Sequence, residues 1–191
     1  AMVEAYASYP TSYIPTGGST VTRSADVANG AGTADDFNDS EGVLYANVAN
    51  IDTSVQSRLS LNSGNATTNK IHIGYNPSNT KIELFIIDGS NSTVVNSQGL
   101  ITDNNSKIAV NYSSSSFFGY VNGFKTAIGT ARTPSGFDDL SFNRGDSVVN
   151  FYGKAKEVIA FNEALSDTEL EALTSYDSFN SMATELLFTI E

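Results

Sequence analysis

Few side chains of this 191-residue chain are suited to chemistry, and their spacing excludes most reactions. There is no cysteine and one histidine, His72. Disulfides, thiolate metal sites and a cysteine nucleophile are therefore excluded. His72 has no Gly-x-Ser-x-Gly elbow to accompany it, so a Ser-His-Asp site lacks support; it is either a surface or groove histidine or a general base. No phosphate-cradling glycine loop ending in Lys-Ser/Thr and no two-histidine metal motif is present. Retaining cleavage of a glycosidic bond needs two carboxyl groups about 5–5.5 Å apart, which one strand supplies at i and i+2 or i+4. Glu83 is alone on its apolar run, Asp138 and Asp139 are adjacent and point apart if extended, and Glu163, Glu169 and Glu171 belong to the start and surface of a helix. The chain is expected not to be an enzyme.

Residues suited to holding a ligand are easier to find. Arg58, His72, Asn111 and Asn122 fall on polar strand faces, Arg144 lies at a later strand end, and Tyr45, Tyr75 or Tyr120 offer aromatic platforms. Arg58 interrupts an apolar alternation at Ser57–Leu61 and either binds something or faces solvent. Tyr75 and Tyr112 share a face with Ile and Val and read as core. Asp35, Asp36, Asp39 and Glu41 crowd one loop, with Asp26 nearby. Hard oxygen ligands at that density suit Ca²⁺, although the spacing is not that of an EF-hand; the alternative is a solvated acidic loop.

The elements that must position these residues are strands. From Gly42 to Asn162 the apolar residues alternate in short runs, at 43–48, 57–61, 70–75, 81–87, 93–96, 107–112, 117–121, 124–129, 139–142 and 153–161. Asn76-Pro77-Ser78-Asn79, Asp88-Gly89 and Asn122-Gly123 punctuate them, and Asn-Gly supplies the positive φ of a tight hairpin. Many strands with little helix between them predict an all-β, two-sheet antiparallel sandwich of the jelly-roll kind. At Ser166-Asp167-Thr168-Glu169 a capping box, stapled by Leu165 and Leu170, starts a helix expected to run to about Tyr176. A second, from Asp177 or Ser178, carries Phe179, Met182, Ala183, Leu186 and Leu187 on one stripe. The expected organisation is a lead-in over 1–30, a sandwich over 31–165 and short C-terminal helices over 166–191.

Charge and hydropathy narrow the partners. Ten basic against 21 acidic side chains give a formal charge of −11, which argues against nucleic acid. No apolar run approaches the roughly 20 residues of a membrane span. Ala1-Met2 opens directly into ordered-looking sequence, which reads as an excised piece of a longer protein. A homo-oligomer is compatible with everything above.

Four stretches, in order along the chain, carry a family resemblance. They are Val3-Glu4 with Thr11–Thr16 and Val21–Val27; Ser40–Ala46; Phe118–Gly123; and Gly153–Asn162 followed by Ala164–Leu170. Together they resemble the laminin-G-like, concanavalin-A-like domains of bacteriophage virion proteins. The resemblance implies a module of a tail or head fibre, or of a bacterial surface protein, that engages glycans and often carries Ca²⁺. Its lead-in commonly follows another domain. On that footing the chain is expected to be a non-catalytic carbohydrate-binding module at a virion or cell surface. A purely structural assembly domain is the alternative and a glycan-cleaving enzyme the third. The negative charge favours a neutral or mildly charged polysaccharide.

Overall fold

A computed structural model describes residues 17–19, 30–50, 54–64, 67–96 and 105–177. Its strands are β1 (Glu41–Asn50), β2 (Ser57–Asn62), β3 (Asn69–Asn76), β4 (Lys81–Asp88), β5 (Asn91–Asn96), β6 (Ser106–Ser113), β7 (Phe117–Val121), β8 (Phe124–Lys125), β9 (Asp139–Ser141) and β10 (Gly153–Phe161), followed by the helix α1 (Asp167–Thr174). They form two five-stranded antiparallel sheets, ordered β10-β1-β6-β7-β8 and β5-β4-β3-β2-β9. Alternation places one residue of each pair between the sheets. Leu44, Val110, Leu59, Ile71, Leu84 and Ile86 are each at most 1% exposed there. Burial of such side chains contributes about 1.5–3 kcal/mol apiece and holds the layers together.

Turn chemistry behaves as the sequence predicts. Asn122 and Gly123 have φ of 50° and 83°, the paired left-handed values that join β7 to β8 through a two-residue hairpin. The run at 124–129 nevertheless keeps only two strand residues. Beyond Lys125 the Thr126 N–H donates to the Gly119 carbonyl at 2.7 Å while its hydroxyl accepts the Gly119 N–H at 2.8 Å, and the next bridge is Gly129 opposite Phe117.

The helix starts on the capping box, with Ser166 accepting from the Glu169 N–H and Glu169 accepting from the Ser166 N–H. It ends at Thr174, short of Tyr176, where the Thr174 hydroxyl turns back to the Leu170 carbonyl at 2.8 Å and Ser175 is extended. The second helix expected beyond Asp177 and most of the 1–30 lead-in lie outside the described residues; Ala31 bridges Leu140 beside β9. No described helix is long and apolar enough to cross a membrane.

The two outer faces differ. That of the first sheet is apolar and is closed by α1, whose Leu170 (0% exposed) packs on Val43, Tyr45, Ala109, Phe118 and Tyr120. That of the second sheet is polar.

Candidate functional site

Register on the second sheet arranges its outward side chains in three rows. One row reads Arg58, Gly74, Glu83, Asn96 across β2 to β5. The next reads Ser141, Ser60, His72, Phe85, Val94, and the third Asp139, Asn62, Lys70, Ile87, Ser92, each beginning on β9. The face is thus polar over β9, β2 and β3, and apolar side chains, Phe85, Ile87 and Val94, join it only at β4 and β5.

Arg58 crosses this face. To reach Glu83 two strands away its side chain must lie over β3, and the residue there is Gly74. A Cβ on Gly74 would stand 2.5 Å from Arg58 Nη1 and 2.7 Å from Nε, inside contact distance. The missing side chain is the channel for the arginine. Arg58 Nη2 then donates to Glu83 Oε1 at 3.0 Å, and Nη1 to the Ser57 and Tyr75 carbonyls. His72 Nε2 meets the same Glu83 oxygen at 3.2 Å, and Asn76 Nδ2 donates to Oε2 at 3.2 Å. The His72 ring stacks on Phe85 with centroids 4.5 Å apart and planes 6° from parallel.

Outer-face residues this buried need a cover. Arg58 and His72 are 3% exposed, Lys70 is 4% and Ser60 and Ser141 are 0%. Among the described residues the loop 142–152 meets this face at the β2 end. Asn150 accepts the Arg58 N–H, Asn143 bridges Asn150, and Arg144 and Asp146 act electrostatically on Lys70. Arg144 is held to Asp146 at 2.5 Å. Glu83 keeps a side-chain exposure of 14%, and Val94 is 48% exposed, so the face opens toward β4 and β5.

Burial and pairing set the protonation states. Burial pushes His72 down from 6.5 to about 4, Arg58 and Lys70 adding to that and the Glu83 hydrogen bond opposing it. The imidazole is neutral at neutral pH. Burial by itself would raise Glu83, but the His72 and Asn76 hydrogen bonds and the Arg58 charge outweigh it and hold the carboxyl at about 2. Glu83 is therefore a fixed anion with no proton to give at neutral pH, the wrong state for a general acid.

Among the described residues five buried side-chain atoms lack a hydrogen-bond partner: Asn47 Oδ1, Asp88 Oδ1 and, on this face, Arg58 Nε, His72 Nδ1 and Ser141 Oγ. Each such atom costs about 1–3 kcal/mol when left unmet. Their concentration on one face marks it as the place where an incoming polar group gains most.

The candidate residues divide between the two sheets. Arg58 and His72 come together, with Arg144 in the loop above them. Tyr45, Asn111 and Tyr120 do not join them: on the first sheet they are 2%, 3% and 5% exposed, the tyrosines beneath α1 and Asn111 accepting the Leu165 N–H at 3.2 Å. Asn122 is spent in its turn, accepting the Lys107 N–H at 2.9 Å. These residues share no surface with Arg58 and His72, because α1 packs on the outer face of the first sheet. Tyr75 and Tyr112 are core, at 5% and 1% exposure.

The acidic loop is likewise dispersed. Asp39 gives its two oxygens to the Gly136 and Phe137 N–H groups at 2.7 and 2.9 Å, and Asp36 accepts from the Thr33 N–H and hydroxyl. Among the described residues no three acidic or imidazole groups gather as a metal site would require. Asp36 and Asp39 instead order the loop backbone.

No family model and no curated protein matches the chain. Solved structures do. The carbohydrate-binding module CBM40 of the Ruminococcus gnavus IT-sialidase, bound to α2,3-sialyllactose, superposes with a TM-score of 0.60 at 14% identity, covering 80% of this chain and 96% of that one. This chain has the jelly-roll fold that such modules share with laminin G domains. Mouse laminin α1 LG4-5 matches with a TM-score of 0.51 at 10% identity, over 68% of this chain and 37% of that one. A leech intramolecular trans-sialidase complexed with 2,7-anhydro-Neu5Ac gives 0.60 at 15% identity, over 81% of this chain but only 27% of the enzyme. The full-length correspondence is thus with a binding module.

Sequence reasoning missed Gly74, Phe85, Asn76 and Asn96, and it met Glu83 only as an unpaired carboxylate. The available signal was register. Once β2, β3 and β4 pair as a meander through short turns, Arg58, Gly74 and Glu83 fall on one line.

Proposed function

We propose that this chain is a non-catalytic carbohydrate-binding or adhesion module of a virion or bacterial surface protein, and that glycan binds on the outer face of the second sheet. The observation that carries this reading is the Arg58–Glu83–His72 bracket. It is a preorganised set of planar polar groups with unmet hydrogen-bonding capacity, flanked by Phe85 and Val94 as apolar surface. Sugar recognition needs that combination, since a sugar ring has an apolar face and a rim of hydroxyls that must all be satisfied when water leaves. The fold likeness to a sialyllactose-bound module over 96% of its length supports it independently. The low carboxyl pKa of Glu83 supports binding without turnover. Single-site affinity would be modest and would become useful through several copies on one particle or cell.

A glycan array followed by calorimetry tests the reading. Binding that Glu83→Gln weakens at least tenfold is expected, with no release of reducing ends. A folded sample that binds nothing would overturn it.

A structural assembly role is favoured by one separate observation. Phe124 and Ile128, at the β8 edge of the first sheet, are 58% and 70% exposed. Light scattering that finds a stable oligomer broken by Phe124→Ser and Ile128→Ser would support that role.

A further inference from the structure

We infer that the site reads neutral hydroxyls, not carboxylates: one sugar hydroxyl sits between Arg58 Nε and His72 Nδ1, accepting from the first and donating to the second. This deepens the carbohydrate reading above and rests on it.

Ionised Glu83 only accepts, so at 3.2 Å from Glu83 Oε1 the His72 Nε2 must carry the ring proton. In a neutral ring that leaves Nδ1 as a lone pair in need of a donor. Arg58 Nε is always N–H and needs an acceptor. Both atoms are buried without partners, on side chains more than nine-tenths buried, and both side chains hold the same Glu83 oxygen. Gly74 has no Cβ, and the Arg58 side chain, Nε included, fills the room one would take.

A hydroxyl meets both demands with one oxygen. A carboxylate meets only the arginine's, leaves the His72 lone pair facing a second anion, and adds its charge beside Glu83. Ser141 Oγ, also unpartnered and two strands from His72, can both donate and accept, so it suits a second hydroxyl of the same ligand. The ligand class is therefore a neutral sugar that presents free hydroxyls. Entry is from the β4 side, where Glu83 remains partly exposed.

Calorimetry on the chain tests this with matched pairs of oligosaccharides: galactose against galacturonate, glucose against glucuronate, mannose against mannuronate. The neutral member of at least one pair is expected to bind at least tenfold more tightly than its acid. In the unmodified protein the ¹⁵N resonance of His72 Nδ1 is expected to move on binding. His72→Phe, which keeps the stack on Phe85, and Arg58→Lys are expected each to weaken the neutral sugar tenfold while still melting cooperatively. Tighter binding of the acid overturns the inference and leaves the carbohydrate reading standing. Neutral binding that leaves the Nδ1 resonance unmoved also overturns it, by placing the sugar elsewhere. No binding in either arm overturns both.

Discussion

His72 is the only histidine in the chain, so stability between pH 7 and pH 5 isolates one side chain. In the folded protein burial holds it at about 4, against 6.5 when free. Of the charged groups around it, Arg58 on β2 and Lys70 on β3 push the same way, and Glu83 on β4 opposes them. As pH falls below 6.5 the unfolded chain takes up a proton that the native state refuses, so native stability declines until the pH passes about 4. At pH 5 the unfolded histidine is almost fully charged and the native one about a tenth charged. Proton linkage then makes the loss between pH 7 and pH 5 about 2 kcal/mol. Urea unfolding at pH 5, 6 and 7 measures it, with His72→Gln as the control that abolishes the decline. Carbon-detected titration of the imidazole should find no midpoint above pH 5. A wild-type stability that stays flat over this range, or a His72 midpoint near 6.5, would refute the buried bracket. Below pH 4.5 a second loss begins with the same sign, because Glu83, held at about 2, contributes stability that disappears as the unfolded carboxylates protonate first.

Further outcomes follow from the same geometry. Gly74→Ala should destabilise the fold by about 2–4 kcal/mol, because the new methyl dislodges Arg58 and strands a largely buried ion pair, a loss only partly offset by the better strand residue. In an Arg58→Met background the same change should be neutral or stabilising by up to about 1 kcal/mol; chemical denaturation of all four proteins measures the coupling. Leu170→Ala should cost about 2–5 kcal/mol by undercutting α1, yet leave sugar affinity unchanged in calorimetry because α1 covers the other sheet. Asp39→Ala should cost about 1–3 kcal/mol through the orphaned Gly136 and Phe137 N–H groups. EDTA should leave the wild-type melting temperature in place, and a drop on chelation would restore a role for Ca²⁺.

How much of this was legible depends on whether a feature is local. Ile71, Ile73 and Tyr75 declare the face of β3 that packs between the sheets through alternation alone, and Asn122-Gly123 declares its hairpin through φ. Ser166 and Glu169 declare the start of α1. Each needs only neighbours within a few residues, and each appears in the structure where the pattern puts it. The end of α1 was less legible because no glycine or proline stops it; a threonine hydroxyl returning to Leu170 does.

The site fails to be legible for a different reason. A polar strand face says that its residues avoid the core, and it does not say which sheet they join. Asn111 and Arg58 look alike in sequence, each a planar polar residue among apolar neighbours, yet β6 lies beneath a helix and β2 beneath a loop. What separates them is the residue across the ladder. Opposite Arg58 stands Gly74, which has no side chain to bury and so leaves room for a long cation to lie flat; opposite Asn111 stand Val43 and Phe118, which fill the space and leave the amide only the start of α1 to serve. A glycine inside a strand is costly on propensity alone, by roughly 0.5–1 kcal/mol against alanine. A buried arginine beside it is costly through desolvation. Two unfavourable choices in register are mutually compensating in a way neither is alone, and that pairing is what turns the outer face of the second sheet from a solvated surface into a built site.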